Sequence, residues 1–328
     1  MLYINDFCSI GPMGVFRPDT DISGWEAPEA NNADRILYAR EPDYREWISP
    51  IKQRRMSKSV RMAVAAMKMC FDTDVPASIH IGSGFGQLSD SQRFLETMMV
   101  IHQGALSPTS FIQSTHNTVS GALGMEAGAH GHNFTFANAG HSFEDAFFDA
   151  ALTNVDLNYE NDQLIGAVDE MIPVAARTLR QNDTAGSGIL PSLGEGCSVF
   201  RASSRREPDI VGHIMAFQKV LTGVGGQNIH RCFDNFMKTS NIRVRNDDLW
   251  IRGNSSAKNV QVAYKDFREL FFKGNPVYDF KRFCGDYPTH SAFGLAYALA
   301  CLNRQPEFGR AWLITNSGHY WSFWLLEK

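Results

Sequence analysis

An α/β protein built as two fused halves is what this sequence predicts, on three observations. Apolar runs of strand length alternate with runs of helical period. Residues 133–152 read Asn-Phe-Thr-Phe-Ala-Asn-Ala-Gly-His-Ser-Phe-Glu-Asp-Ala-Phe-Phe-Asp-Ala-Ala-Leu: a short strand, a small-residue corner at Ala139-Gly140, then an amphipathic helix. From about Glu207 the alternation begins again, although no repeat of residues links the two passes by eye.

The first half, taken as residues 1–206, opens on a strand at Leu2–Ile10. A Gly/Pro/Asp/Asn-rich stretch from Gly11 to Asp34 has no period and predicts a long surface excursion. Ser57 to Cys70 predicts a helix capped by Ser57 or Ser59, with Met62, Ala65, Ala66 and Met69 on one side. A strand at Ala77–Ile81 leads into Gly82-Ser-Gly-Phe-Gly86 and a helix at Ser91–His102. A small-residue helix at Asn117–Ala127, a strand at Asn133–Asn138 and a helix at Ser142–Leu152 follow, the last with Phe143, Phe147, Ala150 and Ala151 on its apolar side. Gln163–Val168 and Gly196–Ala202 read as strands. In the second half, residues 207–328, the order is strand Ile210–Phe217, helix Ile229–Lys238, strand Leu249–Gly253, helix Tyr264–Phe272 and helix Ser291–Cys301. Two strands, Ala311–Asn316 and Tyr320–Leu326, close the chain around Ser317-Gly318.

Composition narrows the class of function. With 328 residues, 44% of them hydrophobic, the chain can bury a large core. Thirty-one basic against 35 acidic residues give a net charge of −4, and no basic run interleaves with aromatics, so a nucleic-acid face is not expected. Arg54-Arg55 and Arg205-Arg206 are isolated pairs that read as solvated. Six scattered cysteines without a Cys-x-x-Cys pair fit reduced thiols and a cytoplasmic location better than disulfides or zinc. Neither a signal peptide nor an apolar run long enough to span a membrane is visible.

The corner at Gly140 has the frame of a nucleophile elbow, in which a strand turns sharply into a helix whose free N–H groups favour developing negative charge. Such a corner carries Cys or Ser, and here it carries Gly140. Gly140-His-Ser142-Phe-Glu144 approaches the G-x-S-x-G pattern, but Glu144 stands where the glycine that lets the helix approach the strand belongs. Ser142 and Asp145 instead have the spacing of a capping box. Gly82-Ser-Gly84-Phe-Gly86 lacks the Lys-Ser/Thr of a phosphate loop and reads as a tight strand exit, and Gly194-Glu-Gly196-Cys197 as a turn or close strand approach. His116, His130, His132, His141, His290 and His319 are the possible bases. His130-Gly-His132 has no third ligand nearby, so no metal is expected.

In order along the chain these pieces resemble the β-ketoacyl synthase branch of the thiolase-fold superfamily. Leu106-Ser-Pro-Thr-Ser-Phe and Ser114-Thr-His-Asn-Thr-Val-Ser-Gly121 are similar to the family's stretch before the active site, and Asn133–Ala139 to its strand leading to the nucleophile. Gly166-Ala-Val-Asp169 resembles the strand that follows, Gly194-Glu-Gly-Cys197 the family's Gly-Glu-Gly-Ala turn, Tyr287–Leu295 the region where a catalytic histidine leads a small-residue helix, and Asn316-Ser-Gly318 the final hairpin. The resemblance spans nearly the whole chain and implies a thiolase-like fold, two α/β halves layered αβαβα.

On that frame the nucleophilic Cys falls on Gly140, the first catalytic His has no counterpart, and the second falls near Pro288, two residues from His290. In the family the Cys carries the acyl chain as a thioester and the histidines assist decarboxylation and enolate stabilisation; glycine cannot hold an acyl group. The resemblance is therefore to the chain-length-factor-like subgroup, in particular partners of aryl-polyene and flexirubin pigment synthases, which Arg54-Arg-Met-Ser-Lys58 and Cys284-Gly-Asp-Tyr-Pro-Thr also resemble. It implies a non-catalytic subunit without cofactor, paired with a Cys-bearing β-ketoacyl synthase or with itself, and served by acyl carrier protein. The implied remnant pocket holds Asn138, Gly140, His141, Ser142, Cys284 and His290, and Phe134 and Phe136 lie at the dimer interface. Two alternatives stand beside it: an acyltransferase or hydrolase using Ser142 with His290 or His319, and a homodimeric protein that holds an acyl chain in the remnant pocket.

Overall fold

The structure, a computed structural model of the chain, describes residues 2–30, 33–100, 108–157, 162–181, 192–222, 228–254 and 257–328. Its first pass comprises β1 (Leu2–Gly11), β2 (Gly14–Phe16), β3 (Ile36–Leu37), α1 (Pro50–Gln53), α2 (Lys58–Phe71), β4 (Ile79–Gly82), α3 (Leu88–Val100), α4 (Pro108–Gln113) and α5 (Thr118–Ala127). It continues with β5 (Asn133–Phe136), α6 (Ser142–Leu157), β6 (Gln163–Asp169), α7 (Pro173–Gln181), β7 (Leu193–Gly194) and β8 (Gly196–Ser203). The second pass is β9 (Gly212–Leu221), α8 (Ile229–Thr239), β10 (Leu249–Arg252), α9 (Lys258–Leu270), β11 (Val277–Asp279), α10 (Lys281–Cys284), α11 (His290–Arg304), β12 (Arg310–Ser317) and β13 (Tyr320–Glu327).

The duplication that the residues conceal is plain in the strand order. The first pass runs β5-β4-β6-β8-β1 and the second β11-β10-β12-β13-β9, so the principal strands of each pass, numbered along the chain, lie in the order 3-2-4-5-1. Parallel and antiparallel pairs also recur: β4 lies parallel to β5 and β6 as β10 does to β11 and β12, and β8 lies antiparallel to its neighbours as β13 does. Antiparallel pairing of Leu2, Tyr3 and Ile4 with Ile214, His213 and Gly212 joins the two passes into one sheet.

Strand periodicity builds the layers. Alternate residues of a strand point to opposite faces. On β6, Ile165 and Ala167 enter a central core while Leu164 and Val168 enter an outer one; on β12, Ala311 and Leu313 go inward while Trp312 and Ile314 meet the outer core of the second pass. The central core contains α6, through Phe143, Phe147 and Ala150, and α11, every residue of which from His290 to Leu302 is buried. A helix apolar on all sides belongs inside. Helices α2 and α5 cover the outer face of the first pass, and α8 and α9 that of the second, completing αβαβα.

Three sequence expectations need adjustment. The stretch from Gly11 contains β2, paired to β1, and its Trp25 wedges among Phe16, Phe283, Phe293 and Tyr297. One large aromatic anchors a segment that has no period. Helix α9 begins at Lys258 rather than Tyr264, and the unassigned stretch after β6 contains α7, which starts at Pro173, a residue suited to a first helical turn, where its missing N–H costs nothing.

Candidate functional site: a strand-to-helix corner closed by a hairpin

Beyond β5 the chain makes one 3-10 turn, Ala139–His141, and enters α6. The strained residue is Ala139, at φ 43°, a region that non-glycine residues seldom occupy. Gly140 is needed for a different reason. A Cβ there would stand 2.7 Å from Ser317 Cβ and 3.0 Å from both Ser317 Oγ and Tyr320 Cβ, so the tip of the β12–β13 hairpin fills the space a side chain would need. The close strand-helix approach that the Glu144 position denies is supplied by Gly82 of β4, whose added Cβ would lie 2.5 Å from the Ser142 carbonyl. Gly84 is likewise pinned between Pro288 and the Ala139 carbonyl, which makes the glycine run a strand exit and brings Pro288 beside the corner.

Ser142 is buried and its hydroxyl is committed to the turn. It donates to the Ala139 carbonyl at 2.8 Å and accepts from the Asn138 N–H at 2.9 Å. The capping box does not form. Asp145 turns instead to the Asn138 side-chain amide, at 2.8 Å, and to Lys219. Buried His141 donates from Nε2 to the Trp321 carbonyl at 2.9 Å and packs edge-on against Tyr320, and burial lowers its pKa. His319 is exposed at the hairpin turn, where its carbonyl accepts from Thr222.

His290, at the start of α11, is also buried. Its Nδ1 donates to the Tyr287 carbonyl at 2.5 Å, and burial, reinforced by Lys281, drives its pKa down to about 3. The ring is neutral. Lys281 bridges Asp286, at 2.9 Å, and the Asn316 carbonyl of the hairpin, at 2.9 Å. Cys284 points its thiol at the Gly285 carbonyl, and burial raises it well above the ordinary thiol range, so it is no thiolate nucleophile. Neither Ser142 nor Cys284 hydrogen-bonds to a histidine among the described residues.

Two buried carboxyls were not foreseen as site groups. Asp169, at the end of β6, accepts from Ser83 Oγ (3.0 Å) and the Phe85 N–H (2.8 Å) on one oxygen, and from the Thr289 N–H (3.1 Å) and Oγ1 (2.7 Å) on the other. It thereby ties the strand exit of the first half to the start of α11; burial outweighs these bonds and raises its pKa to about 6. Glu144 is fully buried between α6, α11 and β13, and burial raises it to about 7. Ser322 donates to one of its oxygens at 2.9 Å. Their only sequence signals were an acid ending an apolar strand run and an acid on an apolar helix face. Glu195 has the simpler part of gathering the Ala39 and Met171 N–H groups and Lys58, and Gly194 leaves room for the Cys284 carbonyl.

A Ser-His-Asp chain exists elsewhere, with Ser78 Oγ 2.8 Å from His80 Nε2 and His80 Nδ1 2.7 Å from Asp149. Ser78 and His80 are wholly buried and Gln163 also donates to Ser78, so the chain joins β4 to α6 within the fold. Among the described residues no cluster of three or more His, Cys, Asp or Glu is placed to hold a metal. No helix among them is long and apolar enough to cross a membrane. Phe134 and Phe136 lie on β5, which among the described residues is an edge of the sheet, with Phe134 47% exposed and their rings 6.4 Å apart. A groove of about 770 Å³, floored by Met56, Val60, Phe111, Ile112 and Met125, lies between α2 and the α4–α5 pair.

Residues 25–195 match the family described as the β-ketoacyl synthase N-terminal domain. No curated protein matches the chain in sequence. Among solved structures, the ishigamide ketosynthase/chain length factor is similar with a TM-score of 0.81 at 14% identity, 99% of each chain being covered. A β-ketoacyl synthase from Burkholderia phymatum STM815 gives 0.73 at 14%, covering 100% of this chain and 99% of that one. A type II polyketide synthase ketosynthase, in complex with its acyl-carrier protein, gives 0.76 at 13%, covering 99% and 98%. At these identities the likeness is one of fold.

Proposed function

Because the chain belongs to the β-ketoacyl synthase family, we propose that it is a non-catalytic, chain-length-factor-like subunit of a chain-elongating synthase. It pairs with a Cys-bearing β-ketoacyl synthase, completes the dimer, shapes the acyl tunnel and helps receive acyl carrier protein. The observation that carries this reading is the closed corner: where a condensing Cys would stand, Gly140 leaves no volume for a side chain beside Ser317 and Tyr320. A carrier of thioesters needs a nucleophile at that place.

The fold likeness to a ketosynthase/chain length factor and to a ketosynthase complexed with its acyl-carrier protein supports the same assignment. The β5 edge, with Phe134 and Phe136 on one face, supports pairing through that strand, since an exposed apolar edge is a template for another chain. The same reading takes 1–206 and 207–328 as the two halves, places the protein in the cytoplasm, and assigns its pathway to the aryl-polyene or flexirubin class. Co-expression with a Cys-bearing synthase and acyl carrier protein tests it. The two proteins are expected to co-purify and to condense malonyl units only together; a chain that remains monomeric, or that acylates itself with carrier protein alone, refutes it.

A further inference from the structure

The groove between α2 and the α4–α5 pair lies on the outer side of the first-pass sheet, whereas α6 and the closed corner at its start belong to the central layer. Its volume of about 770 Å³ falls in the range of small-ligand sites, roughly 300–1,000 Å³. Two contacts tie its walls together. Lys52 of α1 pairs with Glu126 of α5 at 2.8 Å, and the side-chain amide of Gln113 on α4 donates to the Arg55 carbonyl at 2.9 Å.

The walls offer a ligand few hydrogen-bonding groups. Ser57 donates to Gln87 at 3.0 Å, and Thr115 and Thr118 both donate to the Ile112 carbonyl, at 2.8 and 2.9 Å. Phe111, Ile112 and Met125, all exposed, and Met56 and Val60 supply the apolar surface. Among the described residues the lining donors left without a partner are the Thr109 hydroxyl, the Asn117 side-chain N–H and the Arg55 guanidinium, and only Arg55 is charged.

Gly121 keeps this groove open. It sits inside α5, where glycine is disfavoured by its backbone freedom, yet among the described residues nothing lies within 4 Å of a Cβ added there. Gly124 on the same helix has a packing reason, because its Cβ would come 2.7 Å from the Asn133 side chain. Gly121 has none, and it lines the groove, where a larger side chain would take up the space. We infer that the groove binds the anion of a straight-chain fatty acid, its chain lying against the apolar walls over Gly121 and its carboxylate paired with Arg55. Charge complementarity selects an anion, since an unpaired guanidinium beside an apolar surface is a natural seat for a carboxylate. The spent hydroxyls of the walls leave too few bonds for a sugar or a nucleotide, whose polar groups would lose water without return. The inference concerns this chain alone and stands whether or not it binds a synthase.

Titration calorimetry of the full chain with decanoate, below its micelle concentration, tests it beside decanol, acetate and vesicles of anionic phospholipid. Decanoate is expected to bind saturably, decanol about tenfold more weakly, the order of a hydrogen bond to a charged group, and acetate not at all. Arg55→Gln is expected to bring decanoate down to the level of decanol while leaving decanol unchanged. Gly121→Leu, which fills the groove and puts a better helix former in α5, is expected to bind neither and to unfold at no lower denaturant. Arg55 is exposed, so its variant keeps the test independent of the folding of the other. No saturable binding of decanoate by the wild type, unchanged affinity in Gly121→Leu, equal loss of decanoate and decanol in Arg55→Gln, or binding of vesicles without binding of the free acid overturns the proposal.

Discussion

Gly140 is where a single atom decides the chemistry. A cysteine there would force its Cβ into Ser317 and Tyr320, and an overpacked core site of this kind typically loses 1–3 kcal/mol. Gly140→Cys is expected to unfold at lower denaturant by about that amount and to gain no acylation when offered loaded carrier protein. Ser142, with both roles of its hydroxyl taken by the turn, is expected to stay unlabelled by a fluorophosphonate probe in the folded protein; labelling that vanishes in Ser142→Ala would restore the hydrolase reading. The buried acids give a pH signature. Burial raises Glu144 from 4.5 to about 7 and Asp169 from 3.8 to about 6, so the folded state binds more protons than the unfolded one. Their contribution to stability is complete below about pH 4 and is lost as pH rises through 6 and 7. Urea titrations of Glu144→Gln against wild type should show the variant gaining about 3 kcal/mol between about pH 4 and 8. A constant difference would mean that Glu144 is not protonated in the fold.

Elements were legible where their period is strong. The residues of α2, from its Ser57 cap through Met62, Ala65 and Ala66, of α6 with Phe143 and Phe147, and of the closing hairpin announce themselves, because burial there follows simple spacing. Gly82 and Gly84 were legible as glycines of a strand exit but not as spacers for α6 and Pro288, since that contact joins residues far apart in the chain. The same limit hid Asp169 and Glu144, whose meaning comes from donors on other elements. It also hid the backward bonding of Ser142, because a capping pattern does not reveal that the 3-10 turn precedes the helix. At this scale the β5 edge carries a prediction. Phe134, half exposed on that edge, is expected to matter little to the monomer and much to pairing, so Phe134→Glu should leave the melting temperature within a degree or two while weakening association at least tenfold by sedimentation. Unchanged association would move the interface away from β5.

For the whole molecule, the repeated 3-2-4-5-1 order places the starts of α6 and α11 in corresponding positions of the two passes, one carrying Gly140 and the other His290. In a condensing enzyme such a meeting point is where nucleophile and base converge. Here each is sealed, Gly140 by the hairpin and His290 by burial that leaves its ring neutral. On the proposed function, this scaffold serves another subunit. Native mass spectrometry of the co-expressed pair, after exposure to acyl-loaded carrier protein, tests that most directly. The account predicts one complex containing both chains with the acyl adduct on the Cys-bearing subunit alone; an adduct on this chain, or two proteins that never associate, would contradict it.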